Sequence, residues 1–206
     1  MKPVFFGILG IAVLFASCSG HTKKVIVYAN NSAAINEEAK TVVNKDNTGH
    51  IDKTFTYNSG DKVTINITFM DGKTVAVDIP EDGYYIVNTK ARDTIIGGYQ
   101  KYSTPQEANR IMTQDELKHN IDSLKQMVTG ANTSAANRTF FILPGTASKI
   151  TSNINAEIVG PYHRMTSVAK VGDEDPEVYR FYSISEVRET IGKLEKLTVG
   201  PPAPNQ

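Results

Sequence analysis

The run KVTINITFMDGKTVAVDI, Lys62 to Ile79, restricts the fold more than any other stretch of this 206-residue chain. Val63, Ile65, Ile67 and Phe69 alternate with Thr64, Asn66 and Thr68, and Val75, Val77 and Ile79 resume the alternation after Asp71-Gly72. A period of two places each apolar set on one face of a strand, so the run predicts a β-hairpin with one buried face. Register follows from loop length. A two-residue Asp71-Gly72 loop would pair Phe69 with Thr74 and Ile67 with Ala76, throwing the two apolar stripes onto opposite faces. A three-residue loop, Met70-Asp71-Gly72, pairs Ile67 with Val75, Ile65 with Val77 and Val63 with Ile79. It also puts Gly72 in the left-handed position that closes such a turn. The longer loop is the one expected.

Around this hairpin the first half of the chain reads as strands. KVIVYAN opens at Lys24, Tyr84 to Asn88 and Thr94 to Tyr102 supply further strands, and Thr54 to Tyr57 is expected to pair with one of those two. Residues 30–47 fit strand and helix equally. The character changes near Ser103. Thr104-Pro105-Gln106-Glu107 and Thr113-Gln114-Asp115-Glu116 both carry a capping-box spacing, and the second precedes Leu117, Ile121, Leu124 and Val128. Thr139 to Leu143, Ile154 to Val159 and Val178 to Tyr182 read as strands, while LPGTASK (143–149) reads as a turn. Ser183 to Glu186 is a third capping box, with Ile184, Val187, Ile191 and Leu194 on one face of a last helix. The fold class is α+β: a β-rich part at 24–103, with strand spacing that suits a small β-sandwich, then an α+β part at 104–198 with two or three helices. Residues 199–206 form a Pro-rich tail expected to be disordered.

The N-terminus sets location. Lys2 precedes an uncharged apolar segment from Val4 to Ala16, too short to span a bilayer, so residues 1–17 read as a signal peptide. Phe15-Ala16-Ser17-Cys18 resembles the lipobox of bacterial lipoproteins: a bulky apolar residue, two small ones, then cysteine. The resemblance covers residues 1–18 alone. It implies that Cys18 becomes the lipidated first residue of the mature chain, held at a membrane by its acyl chains, with residues 18–23 as a short tether. Ser19 after the cysteine resembles outer-membrane sorting, which implies an outer-membrane protein facing the periplasm.

Cys18 is the single cysteine, so lipidation leaves no thiol for disulfides, thiolate metal sites or cysteine nucleophiles. Stability must then come from an ordinary core, for which 40% apolar residues suffice. A formal net charge of zero gives no electrostatic reason to expect a nucleic-acid partner. His21, His50, His119 and His163 show no metal-ligand spacing, and the residues of LPGTASK miss both the phosphate-loop and the serine–lysine patterns, so no metal or cofactor is expected from motifs. GDEDPE (172–177) is too short for a calcium loop.

GPYHRM (160–165) is the stretch with most recognition chemistry. A Gly-Pro turn there presents Tyr162, His163 and Arg164, a stacking ring and a fork of donors suited to an anionic or sugar-like ligand. Asp93-Thr94-Ile95 and Asp122-Ser123-Leu124 resemble the acceptor tripeptide for O-glycosylation of exported proteins in some Gram-negative bacteria, which would modify Thr94 and Ser123. These features point to a lipid-anchored envelope protein that binds an envelope protein or glycan without catalysis. The rival readings are an envelope hydrolase or carbohydrate-active enzyme with dispersed catalytic residues, and a small-ligand binder built on the 160–165 turn.

Overall fold

Val25, Val27 and Ala29 are buried on one side of the first strand, and Ile26 and Tyr28 on the other. A strand apolar at odd and even positions alike needs cover on both faces. The computed structural model, which describes residues 20–101, 112–131, 133, 134, 136–165 and 176–198, supplies that cover. Its elements are β1 (Lys23–Ala29), β2 (Ala34–Asn36), β3 (Thr41–Val43), β4 (Ile51–Tyr57), β5 (Val63–Thr68), β6 (Thr74–Ile79), β7 (Gly83–Asn88), β8 (Ile95–Gln100), α1 (Gln114–Val128), β9 (Thr139–Ile142), β10 (Thr146–Thr151), β11 (Glu157–Val159), β12 (Val178–Ser183) and α2 (Ile184–Thr198). The signal segment expected at residues 1–17, Cys18, the helix expected from Thr104, most of GDEDPE and the tail lie outside the described residues.

Three four-stranded sheets stack in layers. The middle sheet runs β10-β7-β1-β4, with β1 and β7 parallel and the outer pairs antiparallel. One face meets the sheet β2-β3-β5-β6, where Val25, Val27, Phe55, Tyr85 and Val87 pack on Val42, Val63, Ile65, Ile67, Val77 and Ile79. The other face meets the sheet β11-β12-β8-β9, where Ile26, Tyr28, Tyr84, Ile86 and Ile150 pack on Ile95, Phe140, Ile142, Tyr179 and Phe181. Helices α1 and α2 then cover the outside of that third sheet, around Ile96, Ile121, Val187 and Ile191. Each fully buried side chain of this kind contributes about 1.5–3 kcal/mol, so the middle sheet is the most heavily stabilised layer. The class is α+β: strands dominate the first half, and both described helices fall in the second.

The hairpin has the register its alternation demands, with Val63 opposite Ile79, Ile65 opposite Val77 and Ile67 opposite Val75. Gly72 has φ +82°, as the three-residue loop requires. Thr113 caps α1 through a complete capping box with Glu116. Ser183 and Glu186 do the same for α2: the Glu186 N–H donates to Ser183 Oγ at 3.0 Å, and the Ser183 N–H donates to Glu186 Oε2 at 2.8 Å.

Two expectations need correction, and one open reading is resolved. The 54–57 segment belongs to the longer β4 and pairs with β1, not with β7 or β8, because its polar outward face suits the rim of the middle sheet. The ambiguous 30–47 segment forms two short strands, β2 and β3. LPGTASK is a turn only as far as Gly145, after which β10 begins. That strand sits at a sheet edge and shifts register between Lys149 and Thr151, so its apolar alternation is broken. Residue 103 separates regions that differ in element type. The sheets cross it, since β10 joins β7 while β8 lies between β9 and β12.

Candidate functional site

The outer strand of the middle sheet, β4, and the outer strand of the third, β11, line opposite walls of a cleft where the two sheets part. His50 immediately precedes β4 and Asp52 is its second residue, so their spacing of two turns both side chains to one face. Asp52 lies opposite Tyr28 of β1, so that face is the one toward the third sheet. From the other side, residues 160–165 leave the end of β11 and turn back over β4.

Two features of sequence make that turn possible. A β-carbon at Gly160 would overlap the buried Tyr28 hydroxyl, so only glycine lets the chain pass so close to the core. Pro161 and Tyr162 then occupy the centre of a turn closed by the His163 N–H donating to Gly160 O at 3.4 Å. Tyr162 has φ +64°, a left-handed conformation that costs a non-glycine residue about 1–2 kcal/mol. Three contacts hold it there. Its N–H donates to Glu186 Oε1 at 2.8 Å, its hydroxyl meets Ser183 Oγ at 3.0 Å, and it reaches Asp93 Oδ2 at 3.5 Å. Glu186 thus caps α2 with one oxygen and clamps the turn with the other.

The turn delivers His163 to Asp52: Nε2 lies 2.7 Å from Oδ1. His50 approaches the same oxygen, with its Nε2 at 3.5 Å. The His50 ring stacks on Tyr28 at a centroid distance of 5.5 Å and touches Tyr162 at 4.9 Å and His163 at 6.1 Å. Both His50 ring nitrogens are buried and neither makes a well-formed hydrogen bond. Burial, with Lys90 beside it, pushes the His50 imidazole down to about 4, so the ring is neutral near pH 7. Lys90 donates from Nζ to Gly49 O at 3.1 Å and lies 3.9 Å from Asp93 Oδ2 and 5.2 Å over the Tyr162 ring. Burial lowers the Lys90 ammonium below its ordinary value and raises the Asp93 carboxyl above its own, each opposed by the other's charge.

Two clefts open beside this cluster. The larger, about 430 Å³, is lined by Asn30, Asn47, His50, Lys90, Arg92 and Tyr162 among others. A neighbouring cleft of about 360 Å³, walled by Phe69, Met70, Asp71, Lys73 and Pro144, shares Asn47, Ala91 and Arg92 with it. The smaller one beside the cluster, about 220 Å³, includes Asp52, His163, Arg164 and Glu157 in its walls.

The sequence trio is therefore divided. Tyr162 faces the larger cleft, while His163 and Arg164 face the smaller. His50 and Asp52 were not visible as site residues, since a histidine in a polar stretch carries no distinctive spacing. The alternation His50-x-Asp52 at the start of a strand was the one available signal. Thr94 is partly buried before β8 and its carbonyl accepts from the Ile184 N–H, whereas Ser123 is exposed on α1 and donates to His119 O. His119 is exposed on α1, and His21 Nδ1 sits 2.7 Å from Asp82 Oδ2 at the foot of β1, both away from the cluster. Among the described residues no helix is long and apolar enough to cross a membrane. No family model matches the chain, and no curated protein or solved structure matches it.

Proposed function

We propose that this protein is a lipid-anchored binding module of a bacterial cell envelope, attached through Cys18 to the outer membrane on its periplasmic side, and that its ligand is an acidic oligosaccharide. The observation that carries the ligand class is the pair of adjoining clefts sharing Asn47, Ala91 and Arg92. Sugars are recognised by flat apolar faces together with amide and charged hydrogen-bonding groups. Here Tyr162 is exposed over one cleft, Phe69 and Met70 wall the other, and Asn47 supplies an amide shared by both. Lys73, Lys90 and Arg92 outnumber Asp71 and Asp93 across the two clefts, which favours a ligand with carboxylates.

The His163–Asp52 pair speaks for the hydrolase alternative, since such a pair orients a general base. A nucleophile is the missing partner: among the described residues no hydroxyl hydrogen-bonds to a ring nitrogen of His50 or His163. The binding reading accordingly leads.

The test titrates the full chain, purified in detergent, with uronic-acid oligosaccharides and with neutral oligosaccharides of equal length, followed by calorimetry. Binding should favour the acidic series, and Arg92→Ala and Tyr162→Ala should each weaken it roughly tenfold, the effect of losing one charge-assisted contact or one stacking face. Equal affinity for both series, or affinity unchanged in both variants, sinks the ligand class. Separately, Cys18→Ala should release the protein from the membrane fraction, and persistence there refutes the anchor.

A further inference from the structure

The arrangement of His50, Asp52 and His163 asks for a bridging cation. Their donor atoms all lie within 4.8 Å of one another, and they come from the start of β4 and from the turn after β11, 111 residues apart for Asp52 and His163. His163 Nε2 and His50 Nε2 approach the same Asp52 oxygen, at 2.7 and 3.5 Å. A tetrahedral ion with bonds of about 2.0–2.1 Å holds its donors about 3.3 Å apart, so these separations are reached by small side-chain adjustments. A surface ion pair between His163 and Asp52 explains two of the three residues and leaves the third unexplained. His50 has both ring nitrogens out of solvent, and its one polar approach, Nε2 to Asp52 Oδ1 at 3.5 Å, falls short of a well-formed hydrogen bond, a state that costs up to about 1–3 kcal/mol unless something fills it.

We propose that His50, Asp52 and His163 form a binding site for one divalent transition-metal ion of the zinc type, with two imidazoles and one carboxylate as ligands and the remaining coordination open toward the clefts. Donor chemistry sets the metal. Two imidazoles with one carboxylate suit zinc and its first-row neighbours, whereas calcium and magnesium require a shell of oxygens that this cluster lacks. Lys90, beside His50, is directed to Gly49 O and Asp93, so its charge is partly offset where it would oppose the ion. The open position lies between the larger cleft, walled by His50, and the smaller, walled by Asp52 and His163. Such a site stands on this geometry alone and does not depend on the oligosaccharide reading.

The test uses the full chain in detergent, stripped with a chelator and dialysed, then titrated with zinc chloride alone and with magnesium and calcium chloride as controls. Zinc should bind with a stoichiometry of one, saturably and at low-micromolar or tighter affinity, while magnesium and calcium do not compete. Asp52→Asn and His163→Ala should each weaken zinc binding at least about tenfold, and His119→Ala, on the exposed face of α1, should leave it unchanged. Asp52 and His163 are partly or largely exposed, so both variants should fold, which a melting curve checks. Absence of saturable zinc binding overturns the proposal. So does zinc binding that survives Asp52→Asn and His163→Ala undiminished, since the ion would then sit elsewhere.

Discussion

The two ends of β12 carry similar residue types put to different uses. Beside its first residue, Glu177 accepts hydrogen bonds from Arg138, Thr151 Oγ1 at 3.1 Å, Asn153 Nδ2 at 2.9 Å and Tyr179 Oη at 2.6 Å. Arg138 is also held by the Tyr179 hydroxyl and stacks 4.0 Å over the Tyr99 ring. At its last residue, Ser183, lies the cluster of Tyr162, His50, Asp52, His163, Lys90 and Asp93, in which two buried ring nitrogens lack a well-formed hydrogen bond. Backbone strain does not tell the ends apart, since Arg138 has φ +53° and Tyr162 φ +64°. Satisfaction does. At the closed end a densely paired network ties the residues before β9 and β12 to the end of β10, whereas the other, open end holds buried ring nitrogens without a well-formed hydrogen bond.

Gly160→Ala should produce the largest change. The new methyl group must displace the Tyr28 ring, which is 1% exposed and packs between two sheets, or force the turn off the end of β11. Overpacking of a rigid core costs about 1–3 kcal/mol, and the upper part of that range applies because β1 cannot shift within its sheet. Chemical denaturation should show a drop of that size, with loss of ligand and zinc binding together. A variant as stable as the parent would mean that the open end does not rest on the Tyr28 core.

Glu177→Gln tests the closed end and should cost about 2 kcal/mol at pH 7, since a charged acceptor is lost from several donors at once. Burial alone would raise the Glu177 carboxyl, but the hydrogen bonds from Tyr179, Asn153 and Thr151 and the Arg138 charge hold it below its ordinary value. A lowered folded-state value stabilises the fold above the unfolded carboxyl value of about 4.3, and that stabilisation is lost as pH falls through the folded value. The gap between parent and variant should therefore be full at neutral pH and close in acid. A gap that stays constant down to about pH 3 would show that the carboxylate charge contributes nothing there.

What the sequence revealed follows the same division. The hairpin register, the capping boxes at Thr113 and Ser183 and the stripes of both helices depend on neighbours in the chain, and each was legible to the residue. Strand β10 was not, because an edge position with a register shift removes the alternation that marks a strand. Tyr162 and His163 were visible as a turn rich in recognition groups. Their partners were not, since Asp52 and His163 are 111 residues apart and meet only once two sheets have stacked. His50 gave no signal of its own because a buried histidine and a solvated one look alike in a polar segment.

His163→Ala should have the smallest effect on stability, and for that reason it is the sharpest probe of the difference between the ends. Its side chain is 52% exposed, and the Asp52 it meets is 30% exposed, so the pair is heavily screened by water. Exposed ion pairs contribute about 0–1 kcal/mol, and a surface truncation shifts stability by about 0.5 kcal/mol or less. The metal-free variant should melt within a degree or two of the parent, against a drop of several degrees for Glu177→Gln. A loss at His163 as large as the loss at Glu177 would make the open cluster a structural network like the closed one, and the case for a missing cation would fall with it. A near-silent substitution that nevertheless removes zinc binding identifies the residue as one kept for a ligand.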